Sequence, residues 1–383
     1  MSLNRLLLII SSTTLLLVIV VASSWVIFVH REKDVLTVDT DSSENALYRQ
    51  FITKLNASEP LVGRILISTI VKDLETSGLP VDADGLLLPV EARYINLISG
   101  SSSPVSTKYS ITHPNVNGLT GDMLFVAQPS GQTYYSPILF SLDQSEIVTR
   151  LLDNESGLDE NYEVINRRLP KWSSDGAKII YVGQIRDKSS SNDVELDDVE
   201  AWHVFMLDVA SRTSRPFAQG FNANWALDGQ SVLYMKSDGV YQKEAIATEE
   251  SRETRVIPSG NRPFRFFNQV GVSKNGAYLA VSYPQYNDQG RSWVDIYRLS
   301  LQDGDVVAEF TEQIYLDGAD AFWPVFSPGG RYLALQASYG NVADGITANY
   351  IVIFDFISNR YIARYPLNDF EFLYTFTNDW IYD

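Results

Sequence analysis

Three histidines, His30, His113 and His203, are all that the chain offers for imidazole chemistry. A serine nucleophile activated through histidine needs the two within hydrogen-bond reach. His30 abuts a long apolar run, and His203 opens the strand-like run 203–207 and reads as a packed residue. The sequence contains no Gly-x-Ser-x-Gly elbow, no His-Glu-x-x-His helix and no glycine-rich phosphate loop. Cysteine is absent, which removes disulfides, thiolate metal sites and thiol nucleophiles. Acids are abundant, but the stretches 82–85 and 193–200 lack the ligand spacing of a calcium loop. No metal, cofactor or catalytic residue is therefore assigned. Carboxylate chemistry stays open, because two acids at the right separation suffice to hydrolyse a glycoside.

The residues suited to recognition are easier to name. Tyr283 and Tyr286 fall in the stretch 283–292, and Tyr339 and Asn341 in 338–349. These stretches, with 183–201, read as long loops rich in aromatic, amide and glycine residues. Such side chains suit peptide or saccharide surfaces. Arg168 and Arg265 lie near the starts of expected strands. Two guanidinium groups at one mouth suit the capture of a carboxylate.

Loops of this kind need a rigid frame, and a repeat supplies it. A bulky apolar residue is followed four positions later by glycine, and three positions after that an apolar run begins. The pairs are Trp172 and Gly176 with Asp175 before the glycine, Trp225 and Gly229 with Asp228, Val272 and Gly276 with Asn275, and Phe326 and Gly330. The copies are 53, 47 and 54 residues apart. Asp-Gly and Asn-Gly are hairpin signals, because glycine takes a positive φ without steric cost. A period of this length, built from short strands, is that of a β-propeller. Weaker copies at Asn117 and Phe376 bring the phases to six. The chain stops just after the sixth, where Phe376 to Trp380 reads as a turn with tryptophan in place of glycine. Residues 92–108 read as two further strands that complete this last blade and close the ring. Closure removes exposed sheet edges.

The run Pro170, Trp172, Ser173, Asp175, Gly176, with its counterpart Trp323 to Gly330, resembles the repeat of TolB-type propellers. The resemblance covers residues 90–383 and implies an all-β, six-bladed propeller. It implies little about function, since such propellers serve as binding scaffolds and, in some families, as enzyme domains.

Residues 1–33 form a separate unit. Leu6 to Val29 is a 24-residue run without a charged side chain. As a helix rising about 1.5 Å per residue it spans the roughly 30 Å bilayer core. Trp25 stands near one end, as an interfacial aromatic should. The expectation is an uncleaved single-pass anchor with a cytoplasmic N-terminus and an extracytoplasmic propeller. Between anchor and propeller, residues 34–89 begin as an acidic tether. Leu47, Phe51, Ile52 and Leu55, then Ile67, Ile70, Val71 and Leu74, recur at helical spacing and predict two short helices. A net charge of −17 argues against nucleic acid as a partner. The sequence points to a membrane-anchored, non-catalytic binding module of the cell envelope that docks a protein or a wall polymer. The alternative is a hydrolase or lyase acting on glycans or peptides at the channel mouth.

Overall fold

A computed structural model describes residues 58–69, 91–105, 111–127, 138–143, 145, 147–152, 154–155, 157–189, 198–226, 229–245, 252–260, 263–264, 268–283, 291–317, 319–341, 346–367 and 376–381. The expected anchor at 6–29, the tether, and the helical spacing at 47–55 and 70–74 lie outside the described residues. Among the described residues no helix is long and apolar enough to cross a membrane.

Six sheets, antiparallel but for the pairing of β8 with β12, make a six-bladed all-β propeller. Blade B contains β4 (Thr112–Val116), β5 (Met123–Ala127), β6 (Ile138–Leu142) and β7 (Val148–Arg150). Blade C adds a fifth strand, β8 (Asn154–Glu155), outside β9 (Tyr162–Trp172), β10 (Lys178–Asp187), β11 (Trp202–Asp208) and β12 (Thr213–Gln219). Blade D is β13 (Phe221–Trp225), β14 (Ser231–Lys236), β15 (Gly239–Glu244) and β16 (Thr254–Pro258). Blade E is β17 (Gln269–Val272), β18 (Tyr278–Tyr283), β19 (Arg291–Gln302) and β20 (Asp305–Asp317). Blade F is β21 (Ala319–Phe326), β22 (Tyr332–Asn341), β23 (Ile346–Asp355) and β24 (Arg360–Pro366).

Blade A closes the ring and differs from the expected two-plus-two arrangement. The C-terminus supplies one strand, β25 (Phe376–Ile381), at the innermost position. The N-terminal side supplies three: β1 (Arg64–Thr69), β2 (Glu91–Asn96) and β3 (Ser102–Pro104). Phe376 to Trp380 is thus strand and not turn. Ile67, expected on a helix, is a strand residue, so the propeller takes in chain well before residue 90. In the run Arg64-Ile65-Leu66-Ile67, Ile65 and Ile67 are β-branched and Ile65 to Ile67 are buried, and pairing with β2 and β25 satisfies both edges.

The turn motif holds for a definite reason. In blade C the Ser173 hydroxyl donates to Asp175 Oδ1 at 2.6 Å and accepts from the Lys178 amide at 2.9 Å, while Asp175 also accepts from the Ala177 amide. The bond from Ser173 holds the Asp175 carboxyl below its usual range. Ser273 and Asn275 repeat the arrangement in blade E, and Ser327 accepts from the Tyr332 amide in blade F. Gly176, Gly229, Gly276 and Gly330 take positive φ values, as the turn demands. Asp228 lies outside the described residues. In blade B the backbone bond from Asn117 to Asp122 matches that from Ser173 to Lys178. Asn117 therefore stands in the serine place, and Val116 holds the aromatic place to which Asn117 was assigned.

The core lies between blades. Val182, Trp202 and Val204 of blade C join Leu233 and Val240 of blade D and Leu279 of blade E. Ile65 and Trp380 of blade A pack with Tyr332 and Ile351 of blade F.

Candidate functional site: the central channel

The innermost strands surround a channel, and each places one residue at the same depth. Counting one residue back from the aromatic place gives Asn115, Lys171, Asn224, Gly271, Val325 and, on β25, Asp379. Each pairs with the equivalent residue of its second strand, as in Lys171 with Ile180 and Asp379 with Leu66. All six line a cavity of about 540 Å³ that also reaches the turns through Ser174, Gly229, Lys274 and Asn275. The cavity thus lies toward the turn end of the channel.

Bulges shape this ring. The residue three before the aromatic place has a positive φ in four blades: His113, Leu169, Asn222 and Trp323. At each, the register with the second strand shifts. A bulge bends its strand and re-aims the side chains after it. Proline follows the bulged residue in three of the four (Pro114, Pro170, Pro324), where the missing amide costs no ladder bond.

The ring is tied together by side chains. Asn115 donates to Asp379 Oδ2 at 3.4 Å and accepts from the Trp172 amide at 3.1 Å, so it bridges blades A and C. Asp379 Oδ2 also accepts from the Val116 amide, and Oδ1 from the Trp380 amide at 2.8 Å. Lys274, on the blade E turn, reaches Asp379 Oδ1 at 3.3 Å. Asn224 donates to the Val270 carbonyl, and the Trp225 indole to the Lys171 carbonyl. Burial lowers the Lys171 ammonium pKa; Asp379 opposes that shift and Lys274 adds to it. His113 is held well below its ordinary pKa by burial and by the cations Arg168 and Lys171. It is a neutral packed group at physiological pH.

Of the recognition residues expected from sequence, those described lie on three different blades. Tyr283 ends β18 in blade E, stacked on Trp293 at 5.0 Å. Tyr339 lies in blade F, edge-on to Tyr350; its hydroxyl is buried without a hydrogen-bond partner, and burial pushes its pKa up to about 12. Asn341 ends β22, and its side chain is not described. Arg168 sits within β9, its guanidinium 5.9 Å from the Trp202 ring, and does not line the cavity. Tyr286 and Arg265 lie outside the described residues. His203 is half-buried in β11, with Nδ1 3.2 Å from the Ala201 carbonyl. Much of the stretch 338–349, expected as loop, is strand: β22 runs to Asn341 and β23 starts at Ile346. The ladder continues there from Ser338 paired with Asn349 to Asn341 paired with Ile346. Among the described residues, no three acidic or histidine side chains gather where a metal ion would bind.

A second polar cluster surrounds Asp295 on β19. Its Oδ1 accepts from Gln313 Nε2 at 2.7 Å, and Tyr283 and Trp293 also bond to the carboxylate. Burial outweighs these donors and pushes the carboxyl up to about 6. The sign follows from linkage. The folded chain holds this proton more tightly than the unfolded chain, so the stabilisation is complete below pH 4 and is lost as pH rises to about 6. Asp295→Asn abolishes that loss. Its unfolding free energy relative to the parent should improve by up to about 3 kcal/mol between pH 4 and pH 7. Urea titrations at both pH values measure it, and a difference that does not change with pH would refute the assignment.

Among solved structures, TolB from Acinetobacter baumannii is similar over 82% of this chain, at 13% identity and a TM-score of 0.51. This chain spans 66% of the length of that TolB. A chain described as a TolB from Agrobacterium tumefaciens matches over 80% of this chain and 90% of its own, at 12% identity and a TM-score of 0.42. Hydrazine synthase of Kuenenia stuttgartiensis matches over 70% of both chains, at 16% identity and a TM-score of 0.44. No protein-family model matches, and no curated protein does. The likeness is one of fold: this is a TolB-like six-bladed propeller.

Proposed function

We propose that the chain is a non-catalytic binding module of the cell envelope, held in a membrane by residues 6–29, that docks a protein or a wall polymer on its propeller. One observation carries the non-catalytic reading. Asp379 is the acid among the described residues that line the cavity, and its two oxygens are already committed to Asn115, Val116, Trp380 and Lys274. What the cavity presents besides is lysines, amides and indole walls, which suit the holding of a ligand. The uncharged run 6–29 supports the anchor.

The anchor side enters the propeller at the turn face. Glu59 accepts from the Gly329 and Arg331 amides of the blade F turn at 2.8 and 3.0 Å. In this reading the channel cavity lies on the face from which the tether leaves.

Photo-crosslinking in intact cells tests the proposal, with a crosslinking residue at Tyr286, between β18 and β19 in sequence, or at Leu119 of the cavity lining. A discrete protein or polymer adduct from either position is the expected result, together with retention in carbonate-washed membranes that is lost when 6–29 is deleted. Absence of adducts from both positions would sink the docking reading. Release of the intact chain by carbonate would sink the anchor.

A further inference from the structure

The turn end of the channel carries a charge pattern that blade stapling does not require. Among the described residues lining it, Lys171 and Lys274 are the cations and Asp379 the anion. Lys274 belongs to blade E and Asp379 to blade A, with blade F between them, so their ion pair spans part of the cavity mouth. Asp379 has its oxygens occupied by three N–H donors besides this lysine. One saturated carboxylate leaves two ammonium groups with an excess of positive charge, inside a chain whose net charge is −17.

We propose that this cavity binds a carboxylate-bearing organic ligand, with Lys171 and Lys274 as its anion-holding groups. The inference rests on the binding-module reading and names the ligand class of its channel. Two lysines at the rim of a half-enclosed cavity attract an anion more strongly than they would in open water, because the surrounding protein lowers the local dielectric. The amides of Asn115, Asn222, Asn224 and Gln269 line the same space. The indoles of Trp172 and Trp225, with Val325 and Phe326, offer apolar wall for the body of the ligand. A volume of about 540 Å³ lies within the range of small-molecule sites. A carboxylate fits better than a phosphate, because two lysines and one aspartate leave a single net positive charge on the described lining, which one carboxylate matches and a phosphate of about −1.5 to −2 exceeds. Lys171 is the group on which an entering anion acts most strongly. Burial and Lys274 both favour loss of its proton, and a bound carboxylate opposes both.

Calorimetry on the full chain in detergent tests this, with hippurate as the probe and its neutral amide as the control. Hippurate is expected to bind saturably and the amide at least about tenfold more weakly, since the charged contact supplies the difference. Lys171→Met and Lys274→Met should each weaken hippurate about tenfold or more, while Lys171→Arg and Lys274→Arg keep it within about threefold. The arginine variants and melting curves separate loss of charge from loss of fold. Equal binding of acid and amide overturns the proposal, as does unchanged affinity in the methionine variants. So does failure of acetate, succinate and hippurate alike to saturate below about 10 mM, which corresponds to a binding free energy under about 3 kcal/mol. Inorganic phosphate binding as tightly as hippurate overturns the carboxylate class. If the carboxylates fail while crosslinks from Leu119 or Tyr286 persist, the channel inference falls and the docking module stands.

Discussion

Trp380→Ala should open the ring. Trp380 is fully buried on the last inner strand, paired with Ile65, and its ring stacks on Tyr332 of blade F at 6.0 Å. Its indole N–H donates to the Val62 carbonyl at 3.1 Å, which ties the C-terminal strand to the chain entering β1. Truncation removes the largest side chain shared by blades A and F and leaves that carbonyl without its donor. A buried tryptophan cut to alanine costs about 3–5 kcal/mol. With an unfolding entropy near 2 cal/mol/K per residue, a domain of this size loses roughly 5–7 °C of melting temperature. The position adds a second consequence. A ring closed by one strand from one end and three from the other opens at that seam, so amide exchange in β25 and β1 should speed up before that in blades C and D. Trp380→Phe, which keeps the stacking and loses only the hydrogen bond, should recover most of the stability. Unchanged melting in the alanine variant, or exchange that rises uniformly around the ring, would show that closure does not rest on this residue.

The same tryptophan shows where sequence reasoning fails. Turn chemistry is local: serine, Asp-Gly and the apolar run that follows determine one another within ten residues, so blades C to F are legible from the repeat alone. Closure is not local. Trp380 was aligned as a misplaced turn residue because Phe376 to Trp380 has the turn spacing. Tryptophan in a glycine place was itself the warning, since no turn of this type accepts it. Ile67 misled in the opposite way. An apolar run of that length suits helix or strand equally, and only its partners β2 and β25, about 30 and 310 residues away, decide it. The cavity lysines stand on an inner strand and a short turn, away from the long stretches rich in aromatic and amide residues. The residue just before each motif aromatic is a readable signal, and it spells Lys171 and Asn224 without a structure. Asp379 could be read so only after Trp380 was placed. Tyr283, Tyr339 and Arg168 belong to blades E, F and C, and spacing along a repeat does not reveal which side of a blade a side chain takes.

Gly271→Ala should be the most damaging single methyl in the molecule. Gly271 is the one residue of the channel ring without a side chain, and it lies on β17, the inner strand whose register runs unbroken from Gln269 to Val272. The bulge at Trp323 on the neighbouring inner strand carries Pro324 toward it. A Cβ on Gly271 would stand 2.1 Å from the Pro324 carbonyl oxygen and 3.0 Å from its carbon. Both are backbone atoms, so no side-chain rotation relieves the clash. The backbone conformation of Gly271 is not the obstacle, because its φ is not among the positive values. The whole cost is therefore one of approach between blades E and F. Small-to-large changes in packed cores cost about 1–3 kcal/mol, and more where backbone must move. Here a shift of about 1 Å has to pass through an inner strand on either side, so about 4 kcal/mol is expected, with roughly 6 °C of melting temperature. Gly276→Ala is the informative comparison. It lies five residues on in the turn, where a positive φ opposes the methyl, and about 1 kcal/mol is expected. Urea unfolding of the two variants separates the explanations. If Gly276→Ala costs as much as Gly271→Ala, backbone freedom governs both sites and the close approach of blades E and F does not. If Gly271→Ala costs far more, the inner strands are held at a distance that only glycine permits, and the channel's width at the Lys171 ring is set by that contact.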